Sequence, residues 1–152
     1  MLYKALLHLH NLIWWIIFIS GLWANFCVWR GYLAETPWTK RERLAGLVFS
    51  MSLATQLLVG LALYFNSPIV HSLMTGEAIG AERVKATFFA MLHPLTMFTA
   101  VVLSQAGYSI SKRLADDRRK YHVAAMCFSA ALVVVLLAVP WPFLSYGRSL
   151  MP

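Results

Sequence analysis

Histidine is the residue type in this chain best suited to do chemistry. There are five: His8, His10, His71, His93 and His122. His10 and His93 lie inside long apolar runs, where a polar ring is costly and needs a partner. Counted from the same end of the molecule, His10 lies about 8 Å and His93 about 10 Å into its run at 1.5 Å per helical residue. The two runs point in the same direction. Two imidazoles at matching depth on two such helices can ligate one metal centre from opposite faces. In a lipid-buried helix bundle the usual centre of that kind is haem b. His8 is an alternative first ligand. Residues two apart on a helix point ~200° apart, so His8 and His10 cannot both face one site. A zinc or copper site would typically show a closer cluster of His, Cys or carboxylate. The plainer role of a membrane histidine is a hydrogen bond across helices or contact with headgroups, and His10 is shallow enough for the latter. His122, beside Lys120, reads as a wet interfacial residue. His71 falls in a loop that could fold over a site.

Other residues at this level suit the same chemistry. Lys85 and Arg83 stand at the mouth of the third run, where haem propionates would want cations. Asn11 follows His10, and Thr87, Thr96 and Thr99 line the third run. Pro94 directly follows His93; a mid-helix proline frees the carbonyl of Ala90 and bends the helix. The freed space and carbonyl would suit a cofactor or a quinone headgroup. Met91 and Met97 are near enough to serve as a weak axial ligand, although core packing is the plainer role. Cys27 and Cys127 fit no disulfide framework or metal spacing and read as small buried hydrophobes.

Four elements must position these groups. The apolar runs are 5–29, 44–65, 86–108 and 123–144, and none contains Asp, Glu, Lys or Arg. Each exceeds the about 20 helical residues that a ~30 Å hydrocarbon core requires. The first run is too long for a signal peptide and no small-residue cleavage site follows it. Composition agrees: 60% of residues are apolar and 12% charged, against roughly 45–50% and 25% in a soluble domain. The expected fold is all-α, a single integral membrane domain over residues 1–152 with four transmembrane helices. In the second span the small residues Gly46, Ser50 and Ala54 recur every fourth position, which lets helix backbones approach closely in lipid. The fourth span is apolar all round and is expected to end at Pro140 and Pro142. The 66–85 connector holds Pro68, Gly76 and Gly80, enough for a short surface helix or a folded-over lid.

A net charge of +7 would suggest nucleic acid on a soluble protein. Here nine of the 13 Lys and Arg lie in two short connectors, residues 30–43 and 109–121, so membrane topology explains the charge and no nucleic-acid partner is expected. The positive-inside rule puts both connectors in the cytoplasm of a bacterial inner membrane, with both termini and the 66–85 loop on the outer, periplasmic side. Lys4, Arg83, Lys85 and Arg148 make up the outer side. Trp29, Tyr32, Trp38, Tyr108 and Tyr121 suit the inner interface, and Tyr64, Trp141 and Tyr146 the outer one.

Several short motifs carry a family resemblance over most of the chain. They are a histidine early in span 1 (LLHLHNLIWW), Gly21 and Leu22 further along it, Glu42 and Arg43 before span 2, Leu92 and His93 early in span 3, and the basic stretch SKRLADDRRK after it. In these the chain resembles a superfamily of small four-helix membrane proteins that includes the HemJ-type protoporphyrinogen oxidases, with the CopD-like and SirB-like proteins as neighbours. The resemblance implies haem b held at His10 with His93. In HemJ-type proteins a lysine closely follows the span 3 histidine; here that stretch reads HPLTM. The spacing from His10 to Gly21 also differs by about one residue, so oxidase activity does not carry over.

Three functions follow as expectations. The first is a membrane b-type cytochrome passing electrons between a quinol pool and a partner. The second is a HemJ-like enzyme acting on a porphyrinogen. The third is a cofactor-free accessory subunit of a larger respiratory or photosynthetic complex, or a homo-oligomer, packed through its apolar faces. A transporter is disfavoured by the lack of an inverted repeat and of an intramembrane carboxylate. A channel would need a polar stripe, for which Ser52, Thr55 and Gln56 are thin support.

Overall fold

The computed structural model describes residues 2–147, and within them the chain is helical. Helix α1 is Leu2–Leu33, α2 Lys40–Phe65, α3 Pro68–Met74, α4 Gly80–Thr87, α5 His93–Arg113 and α6 Asp117–Ala138. A π-helical turn, Phe88–Leu92, joins α4 to α5, so that Gly80–Arg113 is one continuous rod. Four rods are therefore long and apolar enough to cross a membrane. They close as an up-and-down bundle: α1 packs on α2 and α6, and α5 packs on the same two. Helices α1 and α5 thus face each other across the diagonal.

The starts of the helices follow from their caps. Thr39 forms a capping box with Glu42: its side chain meets the first-turn amides while the Glu42 carboxylate takes the Thr39 N–H at 3.0 Å. This satisfies donors that would otherwise be orphaned at a helix end. Asp116 accepts from the Arg119 N–H at 2.8 Å and starts α6, and Ser67 caps α3.

The interior is built from small residues and a few large ones. Ala24, Ala45, Ala100, Ala124 and Ala131 have no exposed surface. Phe49 and Phe128 meet edge to face at 5.9 Å in the middle. Gly46 makes room for Phe128: a Cβ there would lie 2.7 Å from its Cζ. The small-residue stripe of α2 is therefore a packing surface, as expected. Ser50 donates to the Ser104 carbonyl at 3.0 Å, and Gln105 returns a bond to the Ser50 carbonyl at 3.3 Å. Between α1 and α6, Asn25 donates to the Phe128 carbonyl at 3.3 Å, Ser129 to Asn25 at 2.8 Å and Trp29 to Ser129 at 2.9 Å. Such bonds satisfy polar groups that lipid cannot.

The outside is more apolar than a soluble surface tolerates. Ile19, Phe26, Leu58, Phe98 and Leu137 are each more than half exposed. Large hydrophobes outside and alanine inside mark a multi-pass membrane protein whose solvent is the bilayer.

Three details differ from expectation. Helix α6 stops at Ala138, so it ends at the prolines as expected but six residues short of the end of the 123–144 apolar run, because the residue before a proline is pushed out of the helical region; Val139, before Pro140, has φ −66° and ψ 129°. Tyr121, expected to face the inner interface, is instead turned into the bundle at the end that carries the basic connectors: it donates to the Pro37 carbonyl at 3.1 Å and fills the space over Gly31. Ser52 and Thr55 bond back to Val48 and Met51 on their own helix, so they form no polar stripe with Gln56. The connector after α2 does fold over, with α3 as a short lid. Arg148 lies outside the described residues.

Candidate functional site

The two intramembrane histidines converge. His10 reaches in from α1 and His93 from α5, the diagonal pair, and their ring centroids are 6.2 Å apart at an interplanar angle of 64°. Helix α2 approaches closely behind His10: Gly60 has no side chain, and a Cβ there would lie 3.3 Å from His10 Cε1. Gln56, one turn before Gly60, donates its Nε2 to the His10 carbonyl at 2.9 Å.

His93 is oriented from the end of α6. Its Nδ1 lies 2.9 Å from the Ala138 carbonyl oxygen. A carbonyl only accepts, so Nδ1 carries a proton, and in the neutral ring the lone pair is then on Nε2. This is the arrangement in which a backbone carbonyl sets the tautomer and direction of a metal-ligating imidazole. The carbonyl is available because α6 ends there: the last carbonyls of a helix have no partner within it.

The local backbone is unusual at the same point. The His93 N–H bonds to the Phe88 carbonyl, five residues back, closing the π turn. Pro94 explains it. Proline has no N–H for the Ala90 carbonyl and its ring would clash with that carbonyl in a regular helix. A π turn widens the helix there, and such turns recur at functional sites. Phe88 and Phe89 sit against the His93 ring at 5.7 and 6.1 Å, and Phe88 stacks on Tyr146 at 3.9 Å.

The histidines border a cavity of about 130 Å³. Its walls are Leu7, Trp14, Leu57, Leu61, Phe89, Pro94 and Met97, with Ile17, Leu53 and Val135 at the inner end and Ser67 and Val70 from the lid. Val70 is buried, so α3 is seated on the bundle. Trp14 stacks on Phe18 at 5.5 Å and meets Trp141 edge-on at 6.2 Å. Two polar atoms in this wall, Trp14 Nε1 and Gln56 Oε1, are buried with no hydrogen-bond partner among the described residues.

Most of the other expected residues fall elsewhere. His8 is exposed on the outside of α1. Arg83 is exposed and Lys85 half-buried on α4, and neither lines the cavity. Met97 and Asn11 line it, whereas Met91 is 63% exposed and faces away. Thr87, Thr96 and Thr99 donate to carbonyls one turn back on their own helix. His71 is exposed on the lid, and His122 is exposed at the opposite end beside Tyr32.

Sequence reasoning missed Gln56 and Trp14 as wall residues. The signal for Gln56 was present: a carboxamide in the middle of a span is expensive unless it faces the bundle interior. Trp14 carried no such signal, since WW in an apolar run reads as bulk. Among the described residues no three His, Cys, Asp or Glu come together as a metal-binding group, which leaves a two-histidine arrangement. Comparison of the chain with family models, with curated proteins and with solved structures returned no match.

Proposed function

We propose that this protein is a membrane b-type cytochrome that holds haem b between α1 and α5 and takes part in electron transfer. The observation that carries the proposal is the His10–His93 pair at 6.2 Å. Two imidazole nitrogens about 2.0 Å from one metal put their ring centroids about 6 Å apart. A two-ligand site suits a tetrapyrrole, which brings four nitrogens of its own, and suits zinc poorly. The apolar and aromatic walls also fit. A tetrapyrrole is larger than the gap between the walls, so seating one requires the side chains of Leu57, Leu61 and Met97 to part. When bound, haem supplies a one-electron couple.

The chain's own residues then have definite tasks. The Ala138 carbonyl holds the His93 proton on Nδ1, so that Nε2 is the ring nitrogen that would face the metal. The π turn before Pro94 sets the direction in which His93 leaves its helix. Gln56 holds the His10 backbone from below, and the lid helix α3 limits access of water. Lys85 stands eight residues before His93, about 12 Å along the rod, and with Arg83 supplies cations for carboxylates at that end. The resemblance to HemJ-type haem proteins adds support for the haem. The absence of a lysine in HPLTM argues against oxidation of a porphyrinogen.

We place the chain in a bacterial cytoplasmic membrane with its two basic connectors inside and both termini outside. The concentration of Lys and Arg in residues 30–43 and 109–121 supports this orientation.

A reduced-minus-oxidised absorption spectrum of detergent-purified protein, with a pyridine haemochrome assay, tests the proposal. The expected result is a b-type signal near one haem per chain, lost in His93→Ala and in His10→Ala and kept in His8→Ala. Folded protein without haem would sink the proposal and favour the cofactor-free accessory subunit. A spectrum unchanged by His93→Ala would remove the ligand pair.

A further inference from the structure

The cavity wall holds two buried polar atoms that no group among the described residues satisfies. Gln56 is 4% exposed. Its amide has a defined orientation, because Nε2 donates to the His10 carbonyl and the reversed amide would set oxygen against oxygen. Oε1 is therefore an acceptor, and no donor reaches it among the described residues. Trp14 Nε1 is a donor, and no acceptor among the described residues reaches it. Both residues line the same cavity. An unmet donor and an unmet acceptor in one apolar wall are costly unless a ligand or a water answers both.

We propose that this part of the cavity binds the hydroxyl of a lipophilic hydroquinone, which donates its O–H to Gln56 Oε1 and accepts from Trp14 Nε1–H. A neutral hydroxyl is the group that both gives and takes a hydrogen bond. A carboxylate would meet the Gln56 oxygen without a proton to share. An ammonium would leave the indole N–H unanswered and would bring a charge into an apolar site. The walls select the rest of the molecule: Trp14, Phe89 and Met97 offer flat and adaptable surfaces to a ring, and Leu57 offers an apolar one to a tail. Entry from the bilayer suits an amphiphile. The oxidised quinone has carbonyls and no O–H, so it satisfies Trp14 and leaves Gln56 unmet. The site therefore prefers the reduced form. Trp14 is four residues past His10, about 6 Å along α1, which sets the ring beside the proposed haem; the binding itself rests on Gln56 and Trp14 and not on what the histidines hold.

Anaerobic equilibrium dialysis of the full chain in detergent, with a decyl-tailed benzohydroquinone and the matching benzoquinone, tests this. The hydroquinone is expected to bind saturably, with the quinone roughly tenfold weaker, and with Gln56→Leu and Trp14→Phe each weakening the hydroquinone roughly tenfold. Trp14→Phe keeps a ring against Phe18 and removes the N–H, so it remains informative if Gln56→Leu fails to fold. Absence of saturable binding would assign the two atoms to a buried water and overturn the proposal. Affinity unchanged in Trp14→Phe, or equal for the two oxidation states, would overturn it as well. The haem content of each sample is read from its spectrum, so loss of haem and loss of hydroquinone binding are told apart.

Discussion

At the scale of the residue, the bundle depends on a few positions where no atom can be added. Gly31 on α1 is the tightest in the basic half. A Cβ there would fall 2.2 Å from Tyr121 Cε1 and 2.3 Å from its Cζ. The ring is held in place, because its hydroxyl bonds to the Pro37 carbonyl at 3.1 Å and it meets Trp38 in a T-shaped contact at 4.8 Å. Overpacking of this kind costs about 1–3 kcal/mol. Gly31→Ala is therefore expected to lower the stability by about 2 kcal/mol, measured as a shifted midpoint in detergent denaturation. Adding Tyr121→Leu should recover part of the loss, since the two residues share one space. An unshifted midpoint in Gly31→Ala would mean that α1 and α6 part there without cost. The histidines show the opposite relation between residue and sequence. His10 and His93 were legible as a pair from depth alone, whereas the role of Ala138 as the partner of His93 was not. Backbone carbonyls leave no mark on a sequence.

At the scale of the element, α5 and α6 meet at two irregularities, both caused by proline. Pro94 forces the π turn that precedes His93, and Pro140 ends α6 so that the Ala138 carbonyl faces His93. The first is open to a direct experiment. Pro94→Ala restores an N–H for the Ala90 carbonyl and removes the ring clash, so the α register competes with the π turn. One residue of register turns a side chain by about 100°. Helix content by circular dichroism should stay the same, while the proposed haem spectrum should weaken or shift. An unaltered spectrum would show that the π turn does not set the direction of His93. The prolines were plain in the sequence, and the break at Pro94 was expected to free the Ala90 carbonyl. The form of the break was not foreseeable. Whether a proline kinks a helix, ends it or widens one turn depends on what packs beside it, here Phe88 against Tyr146 and His93 against Ala138.

At the scale of the whole molecule, the charge distribution supports the proposed orientation, and the helix order brings the two histidines together. With the basic connectors inside, a cysteine placed at exposed Glu77, between α3 and α4, is expected to react with a membrane-impermeant maleimide on intact cells. A cysteine at exposed Lys112 should react only after the membrane is opened. The reverse pattern would invert the proposed topology. The native Cys27 is buried and Cys127 half-buried in the apolar part of the bundle, so they add little background.

The sequence by itself determined that there are four spans, where their apolar lengths lie, and that two histidines share a level. These properties follow from transfer free energy and helical rise, both of which act along the chain. It could not determine that α1 and α5 lie across the diagonal, that α3 closes over them, or that Gln56 and Trp14 present an acceptor and a donor to one cavity. Those relations depend on which helix faces pack together. In a bilayer, packing is chosen by the fit of small side chains and by a few interhelical hydrogen bonds rather than by hydrophobicity, which is nearly the same on every face.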